Sequence, residues 1–198
     1  WINDPIDDPC QLSKKESRKY LGLTESDRYA LQIGHLSERK NTSQIIKHWK
    51  RIYEKTGIKL LLVGEFDIST PDYAQSMSSL LNIEDSGIVS RLGVVPRYEF
   101  EAYIQASDIV LCTYVEGTYM SSGVAGLAIA NRIPIFSYGN GYLDALVREH
   151  RFGIVGNIAS ADSPDLLLRC LQVEQEPSRS ADPSFKRFFE QIFCDCLV

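Results

Sequence analysis

Several residues of this sequence could hold an anionic ligand if the fold brings them together. Lys40 carries a full positive charge, and His35 lies five positions before it. Ser121, Ser122 and Gly123 precede an apolar stretch of helical pattern, so unpaired backbone N–H groups and the positive end of a helix would face outward there. A phosphate group is the ligand that this combination favours.

Glu116 and Gly34 complete the set of candidates. Glu116 follows the apolar run 108–112, DIVLC, and an acid after a buried strand is well placed for ligand chemistry. Gly34 follows the run 29–33 and would let the backbone approach a ligand closely. Each candidate also has an ordinary interpretation as a solvated lysine, a packed histidine, a helix N-cap or a surface acid. The position of each residue in the fold decides between a ligand-binding role and its ordinary interpretation.

The elements that would position these residues follow from the hydrophobic pattern. Short β-branched runs predict strands at 29–33, 58–63, 88–92, 108–112, 133–136 and 152–155, with Gly64 ending the second. Helical spacing predicts helices at 42–54, 71–81, 96–106, from 121, at 143–149 and at 164–173. The predicted strands are continuous apolar runs without alternating polar residues, and they lie between helices. This pattern predicts an α/β fold, a doubly wound, Rossmann-like parallel sheet of about six strands. Right-handed crossovers favour the order 3-2-1-4-5-6.

In that order the direction of winding reverses between the first and fourth strands, which opens a crevice at their carboxyl ends. The loop with His35 and Lys40 leaves the first strand, and the predicted turn 113–117 with Glu116 leaves the fourth. We therefore expect these residues and the helix start at Ser121 to surround one ligand. The glycine pattern of dehydrogenases and the P-loop of NTPases do not occur in the sequence.

Bulk composition narrows the classes of protein further. A chain of 198 residues with 44% hydrophobic and 24% charged residues can bury a full core and is neither disordered nor a membrane protein. Its net charge of -5 argues against nucleic acid as a partner. No run approaches the roughly 20 apolar residues that span a bilayer, so a soluble chain is expected.

The five cysteines are odd in number and lack paired metal-ligand spacing. The pair Cys194 and Cys196 has no second pair to complete a metal site. Reduced structural thiols in a cytoplasmic protein are the better interpretation. Because the sequence begins at Trp1 without a methionine, we interpret it as part of a longer protein.

Five motifs carry a resemblance to a known family. They are 33–41 (IGHLSERKN), 62–64 (LVG), 91–96 (RLGVVP), 103–110 (YIQASDIV) and 128–135 (AIANRIPI). In register from about residue 20 to about residue 175, they resemble the C-terminal half of a group 1, family 4-like retaining glycosyltransferase of the GT-B type. The resemblance implies a linker at 1–24, a donor-binding domain at 25–176 and a C-terminal segment at 177–198, whose helix 184–193 would return toward a missing N-terminal acceptor domain.

The resemblance also assigns roles to the candidate residues. It implies a nucleotide-diphosphate sugar as donor, with Lys40 pairing with the diphosphate and Glu116 contacting the sugar near the reacting carbon. No cofactor and no metal are expected, because no DxD-like acidic pair is placed for a divalent ion. The substrate-binding residues would be His35, Gly34, Ser121, Ser122, Gly123 and Val94.

The sequence departs from the family pattern at two positions. His35 stands where the family has an arginine, and a neutral imidazole lacks the charge and the bidentate fork of guanidinium. Diphosphate binding should therefore be weaker, or should depend on pH. The second of two family glutamates, separated by seven residues, is replaced by Val124, or by Leu127 if the sequence is aligned back from Pro134 with an insertion. Neither side chain can hold a ribose hydroxyl.

The function that follows is hexose transfer from a nucleotide-diphosphate sugar to a saccharide or lipid-linked acceptor, as in polysaccharide biosynthesis. A peripheral membrane contact through the missing half stays open, and this half alone is expected to be inactive. Two alternatives stay open as well: a non-catalytic module of the same fold that binds a sugar or a nucleotide, and one half of a nucleotide-sugar epimerase.

Overall fold

A parallel sheet organises the computed structural model, which describes residues 12–67, 77, 79, 85–118 and 122–174. Within those residues the sheet has six strands in the order β3-β2-β1-β4-β5-β6. They are β1 (Arg28–Leu36), β2 (Ile58–Phe66), β3 (Ile88–Leu92), β4 (Ile109–Thr118), β5 (Ile135–Asn140) and β6 (Gly153–Val155). Every neighbouring pair is parallel. The predicted fold class and strand order are confirmed.

Helices connect the strands and cover both faces of the sheet. They are α1 (Lys14–Tyr20), α2 (Thr42–Thr56), α3 (Arg97–Ala106), α4 (Gly123–Ala130), α5 (Gly141–His150) and α6 (Ser163–Cys170), with a 3₁₀ turn at Glu38–Lys40. Of the helix predicted at 71–81, the structure describes only Met77 and Ser79, and both are helical. The helix predicted at 184–193 lies outside the described residues. No helix in the described part of the chain combines the length and apolarity needed to cross a bilayer.

Helix α2 shows why the sequence forms these elements. Its apolar residues recur at helical spacing and bury one stripe against the sheet: Ile45, Ile46, Trp49 and Ile52. The helix ends at Gly57, whose φ of 68° closes the last turn with a left-handed residue. The chain can then enter β2 directly.

The core lies in two layers, one on each face of the sheet. Helices α3, α4 and α5 cover one face together with the segment after α1, and α2 and α6 cover the other. Successive residues of β1 alternate between the two layers, because side chains of a strand point to opposite faces. Cys112 and Cys170 are buried, free thiols on opposite faces.

Several strand boundaries differ from the sequence-based expectation. β1 does not end at Ile33: it continues to Leu36, so Gly34 and His35 lie in the strand and not in the loop after it. β4 does not end at Cys112: it shifts register after Thr113, and its pairing with β5 resumes at Thr118. The predicted turn at 113–117 is therefore a bulged continuation of the strand, because cross-strand pairing extends it. Gly64 does not end β2, which continues to Phe66. β5 begins at Ile135 and runs on to Asn140.

Helix α1 is fixed to the sheet domain by Arg18, which is only 6% exposed. Its guanidinium donates to the carbonyl oxygens of Ala106 and Glu25 at 2.9 and 2.6 Å and to Asp108 Oδ2 at 2.7 Å. The same carboxylate accepts the backbone N–H of Tyr29 at 2.8 Å. This one side chain thus joins α1 to the end of α3 and to the start of the sheet.

Candidate active site

A crevice opens between β1 and β4 at their carboxyl ends. The two strands pair only at their beginnings, where Ala30 faces Ile109 and Leu31 faces Val110. Beyond that point β1 remains paired with β2, and β4 remains paired with β5. The divergence is the predicted switch point, and the loop that follows β1 is hydrogen-bonded there to Thr113 and Tyr114 of β4.

Lys40 lies at this crevice, with its backbone held from two sides. Its carbonyl oxygen accepts hydrogen bonds from Gln32 Nε2 at 3.0 Å and from Thr113 Oγ1 at 3.1 Å. Gln32 belongs to β1 and Thr113 to β4, and both side chains are buried. The loop that carries Lys40 is therefore bonded to both walls of the crevice.

The Lys40 side chain is half-buried over Gly34. Its Nζ donates to the carbonyl oxygen of Ile33 at 3.2 Å and lies 3.3 Å from the point where a Cβ on Gly34 would stand. Burial lowers the pKa of Lys40 from its ordinary value. Among the described residues, the ammonium makes one hydrogen bond, to a neutral oxygen, so an anion entering the crevice would meet an incompletely compensated charge.

A second set of contacts joins the Lys40 loop to the start of α4. Asn41, in the left-handed conformation with φ of 53°, donates from Nδ2 to the carbonyl oxygen of Tyr114. The Tyr114 hydroxyl donates to Ser122 Oγ at 3.0 Å, and that oxygen caps α4 by accepting the N–H of Ala125 at 3.2 Å. Lys40 and the N-terminus of α4 therefore belong to one hydrogen-bonded assembly.

Within the described part of the chain, the start of α4 is open on its outer side. Gly123 is exposed, and a Cβ built on it would meet no described atom within 4 Å. The first N–H groups of a helix have no partner within the helix, and such a place suits an anion. Ser121, which the sequence analysis placed in the same site, lies outside the described residues.

A small recess lies beneath Lys40, lined in part by Gln32, Cys112, Tyr114 and Val124. Burial raises the pKa of the Cys112 thiol to about 12, so this cysteine stays protonated at neutral pH and is not a nucleophile. Gln32 Oε1 is buried without a hydrogen-bond partner among the described residues. An acceptor in this state requires a donor that the described protein does not supply.

Glu116 lies in the bulged part of β4 and is exposed. The Tyr138 hydroxyl, from β5, donates to its Oε1 at 2.6 Å. This hydrogen bond to Glu116 is the main cause that raises the pKa of Tyr138. Glu116 therefore faces the β5 side of the site, whereas Lys40 faces β1.

His35 and Val94 lie at the β2 and β3 side of the site. The His35 side chain is 55% exposed, and its Nε2 stands 3.5 Å from Asp67 Oδ2 beyond the end of β2. Val94, after β3, is 78% exposed. The structure thus directs His35 toward an acid, whereas Lys40, Tyr114 and Ser122 form the assembly described above.

Sequence reasoning missed the residues that hold the site together. Gln32, Thr113, Tyr114 and Tyr138 were not singled out, although a glutamine within an apolar strand is a detectable signal. Arg39 was also missed: its guanidinium lies over the Tyr114 ring, 5.7 Å from the centroid. Contacts between β1 and β4 residues follow from topology and have no local sequence pattern.

These features define a doubly wound α/β domain. At its switch point lies a crevice that carries the positive charge of Lys40. The sequence profile of the family described as Glycosyl transferases group 1 matches residues 13–172. The chain belongs to this family, and the resemblance stated from its motifs is confirmed.

Similar proteins agree with this assignment. The C-terminal domain of a group 1 glycosyl transferase family protein (LpcC) from Francisella tularensis superposes with a TM-score of 0.65 at 15% identity, over 90% of this chain and 92% of that chain. AviGT4, a glycosyltransferase involved in avilamycin A biosynthesis, gives a TM-score of 0.61 at 18% identity, over 96% of this chain and 57% of that chain. At these identities the likeness concerns the fold.

A curated relative matches in sequence as well. Alpha-monoglucosyldiacylglycerol synthase of Streptococcus pneumoniae is 26% identical over 145 residues, which are 72% of this chain. The chain spans 31% of the length of that relative.

Proposed function

We propose that this chain is the donor-binding half of a hexosyltransferase, and that the crevice between β1 and β4 holds the diphosphate of a nucleotide sugar. The observation that carries the proposal is that the loop with Lys40 is hydrogen-bonded to the start of α4, through Asn41 to Tyr114 and from Tyr114 to Ser122. It combines a cation with an open helix N-terminus at a switch point, and both favour phosphate.

In the proposed reaction an acceptor hydroxyl oxygen bonds to the anomeric carbon of the sugar as the bond between that carbon and the diphosphate oxygen breaks. Negative charge develops on the departing diphosphate, which takes up the hydroxyl proton. The Lys40 ammonium and the N–H groups at the start of α4 would stabilise that charge without a metal ion. Glu116 would orient the sugar, with one carboxylate oxygen already bonded to Tyr138. The acceptor would bind on a second domain, which the 31% coverage of the curated relative supports.

The acceptor class we propose is a saccharide or a lipid-linked molecule. The name of the Streptococcus pneumoniae relative, a glucosyldiacylglycerol synthase, supports glucose and a lipid among the candidates. A peripheral membrane contact through the second domain would fit such an acceptor.

The proposal is tested by calorimetric titration of the chain with UDP, GDP and ADP and with their glucose conjugates. At least one nucleoside diphosphate should bind and should raise the melting temperature. Absence of binding by all six compounds would contradict a donor site in this crevice.

A non-catalytic binding module of the same fold is the second candidate. Val124 lines the recess, and Leu127 packs partly buried against the core. One of these apolar residues occupies the position of an acid in the family, and the loss of that acid favours a module that binds without catalysis. A full-length protein that binds a nucleotide sugar but releases no nucleoside diphosphate in the presence of acceptor lipids and sugars would support this candidate.

A further inference from the structure

The bulge of β4 that carries Glu116 is fixed at both of its ends. β4 pairs with β5 through Thr113 and again through Thr118, so the bulge comprises residues 114–117. The Thr118 hydroxyl donates to the carbonyl oxygen of Val115 at 2.8 Å. This bond closes the bulge across its base, and the backbone of Glu116 is held between the two paired points.

The bulge is also in close contact with β5. Gly139 of β5 has φ of 81°, and a Cβ on it would collide with the carbonyl oxygen of Tyr114. The backbone of the bulge can reach this place only because residue 139 has no side chain. Tyr138 directly precedes Gly139, so it belongs to the part of β5 that lies against the bulge.

Tyr138 connects β5 to the side chain of Glu116. Its hydroxyl donates to Glu116 Oε1 at 2.6 Å. That hydrogen bond is the main cause that raises the pKa of Tyr138, so the hydroxyl keeps its proton at neutral pH and remains a donor. Asn157, which follows β6, hydrogen-bonds to the same hydroxyl through its side chain. The position of the donor is thus set from two sides.

The bond from Tyr138 leaves Glu116 with one carboxylate oxygen for a ligand. In the described part of the chain, this is the one hydrogen bond that the Glu116 carboxylate makes. An exposed glutamate without such a bond samples several rotamers, whereas here Oε1 is engaged and Oε2 is left to accept. An ionised carboxylate has no proton to donate, so its partner must be a donor, such as a hydroxyl of a sugar.

The geometry also relates this carboxylate to the proposed diphosphate site. Thr113 faces Tyr138 as its register partner, and Thr113 Oγ1 donates to the carbonyl oxygen of Lys40 at 3.1 Å. One pair of facing residues therefore supports both the loop with Lys40 and the carboxylate of Glu116. The sheet holds the two at one spacing.

We propose that Tyr138 is a positioning residue for the donor sugar: it fixes Glu116 so that Oε2 accepts a hydroxyl of the hexose while the diphosphate lies at Lys40. The inference rests on the proposed function. It adds the residue on which recognition of the sugar, as distinct from the diphosphate, depends.

The test is calorimetric titration of the chain with UDP, GDP and ADP and with their glucose conjugates. Tyr138→Phe removes the hydroxyl and keeps the ring. It should weaken binding of the preferred glucose conjugate by about threefold to tenfold, the range for one hydrogen bond, and should leave the matching diphosphate unchanged. Glu116→Ala should show the same selectivity, because it removes the carboxylate itself.

Tyr29→Phe is the matched control. The Tyr29 hydroxyl also donates to a carboxylate, Asp27 Oδ2 at 3.3 Å, but Tyr29 lies at the beginning of β1, whereas the site lies at the carboxyl ends of the strands. This variant should leave both affinities unchanged. A purely structural role of Tyr138 would lower the melting temperature without changing the ratio of the two affinities.

A double-mutant cycle decides whether Tyr138 acts through Glu116. In the Glu116→Ala background there is no carboxylate to hold, so adding Tyr138→Phe should not weaken binding of the glucose conjugate further. Full additivity of the two substitutions would mean that Tyr138 acts independently of Glu116, and it would overturn the inference.

The outcomes also separate this inference from the proposed function. If none of the six compounds binds the wild type, both fail. If a diphosphate binds and Lys40→Ala weakens it, while Tyr138→Phe behaves like Tyr29→Phe, only the present inference fails. Glucose conjugates that do not bind, or that bind Glu116→Ala as tightly as wild type, would also refute it and leave the diphosphate site standing.

Discussion

The carbonyl oxygen of Gly34 occupies the space where a side chain on Gly64 would begin: a Cβ on Gly64 would stand 1.9 Å from that oxygen. The two glycines are register partners in β1 and β2, and Gly64 has φ of 132°. β2 continues through Gly64 because the absence of a side chain lets the strands approach here.

Gly64→Ala should therefore lower the free energy of unfolding by at least about 3 kcal/mol, since both backbone strain and a collision oppose it. Gly57→Ala is the control: Gly57 has φ of 68°, and a Cβ there would meet no atom of the described residues within 4 Å. It should cost about 1 kcal/mol. Urea unfolding of both variants measures the difference, and equal losses would contradict the close approach of Gly34.

Lys40→Ala should weaken binding of the preferred nucleoside diphosphate by about 1.5–3 kcal/mol, the contribution of a hydrogen bond to a charged group. The loss should shrink at high salt, because part of it is screened charge. Lys40→Met keeps most of the apolar stem and should lose a similar amount, which separates charge from packing. Calorimetry at two salt concentrations checks this, and affinities equal to that of wild type would remove Lys40 from the site.

His35→Arg should increase diphosphate affinity little by itself. The new guanidinium would find Asp67 nearby, at the position where His35 Nε2 now stands 3.5 Å from the carboxylate. The double variant His35→Arg, Asp67→Asn should bind the diphosphate more tightly than either single variant. Without the Asp67 carboxylate, the new guanidinium can turn toward the crevice. A large gain from His35→Arg alone would show that Asp67 does not hold this side chain.

Arg18→Met should destabilise the protein by about 3 kcal/mol, because it removes a buried charge from Asp108 and three hydrogen bonds. Lys15→Met is the matched control on the same helix, since Lys15 pairs with Glu25 on the open surface at 75% and 63% side-chain exposure. It should show no measurable change. Thermal unfolding distinguishes the two, and an unchanged melting temperature for Arg18→Met would mean that α1 is not anchored.

Asp27 and Lys59 predict a pH dependence of stability. The Lys59 ammonium, 2.7 Å from Asp27 Oδ2, holds the pKa of Asp27 below its usual range through a hydrogen bond. A lowered pKa in the folded state adds stability above the ordinary aspartate pKa of about 3.9, and this stability is lost as pH falls through the lower folded value.

Asp27→Asn should therefore be less stable than wild type by about 0.2–1 kcal/mol at pH 6, and the difference should shrink as pH falls below the ordinary aspartate pKa. Lys59→Met should show the same convergence at low pH. Urea unfolding between pH 3 and 6 measures it. A difference that persists undiminished at pH 3 would assign the effect to packing.

The sheet was predictable because its strands are apolar runs of ordinary length, whose pattern is local. The path of β4 beyond Cys112 was not, since its bulge is set by pairing with β5 after Thr113. The sequence resembles a turn there because Gly117 and polar residues occur together. Only the partner strand determines that the chain stays extended.

At the candidate site, the positions of Lys40 and Ser122 near the carboxyl ends of β1 and β4 were predictable from the topology, whereas their roles stay predictions. The half-burial of Lys40 was not predictable, because its ammonium lies close to Gly34, next to the point where a side chain there would begin. The contact of His35 with Asp67 and that of Tyr138 with Glu116 join residues distant in sequence. Such side-chain pairs follow from the geometry of neighbouring strand ends and leave no periodic signal.

The two hydrogen bonds on the Lys40 carbonyl oxygen also determine the entropy of ligand capture. An unfixed loop would lose about 1–2 kcal/mol of backbone freedom for each residue ordered on binding. Gln32 and Thr113 already hold the backbone at Lys40. When the ammonium binds an anion, the entropic cost is therefore mainly that of fixing the lysine side-chain torsions, up to about 2 kcal/mol. Each arriving anion would thus meet a receptor that is ordered beforehand.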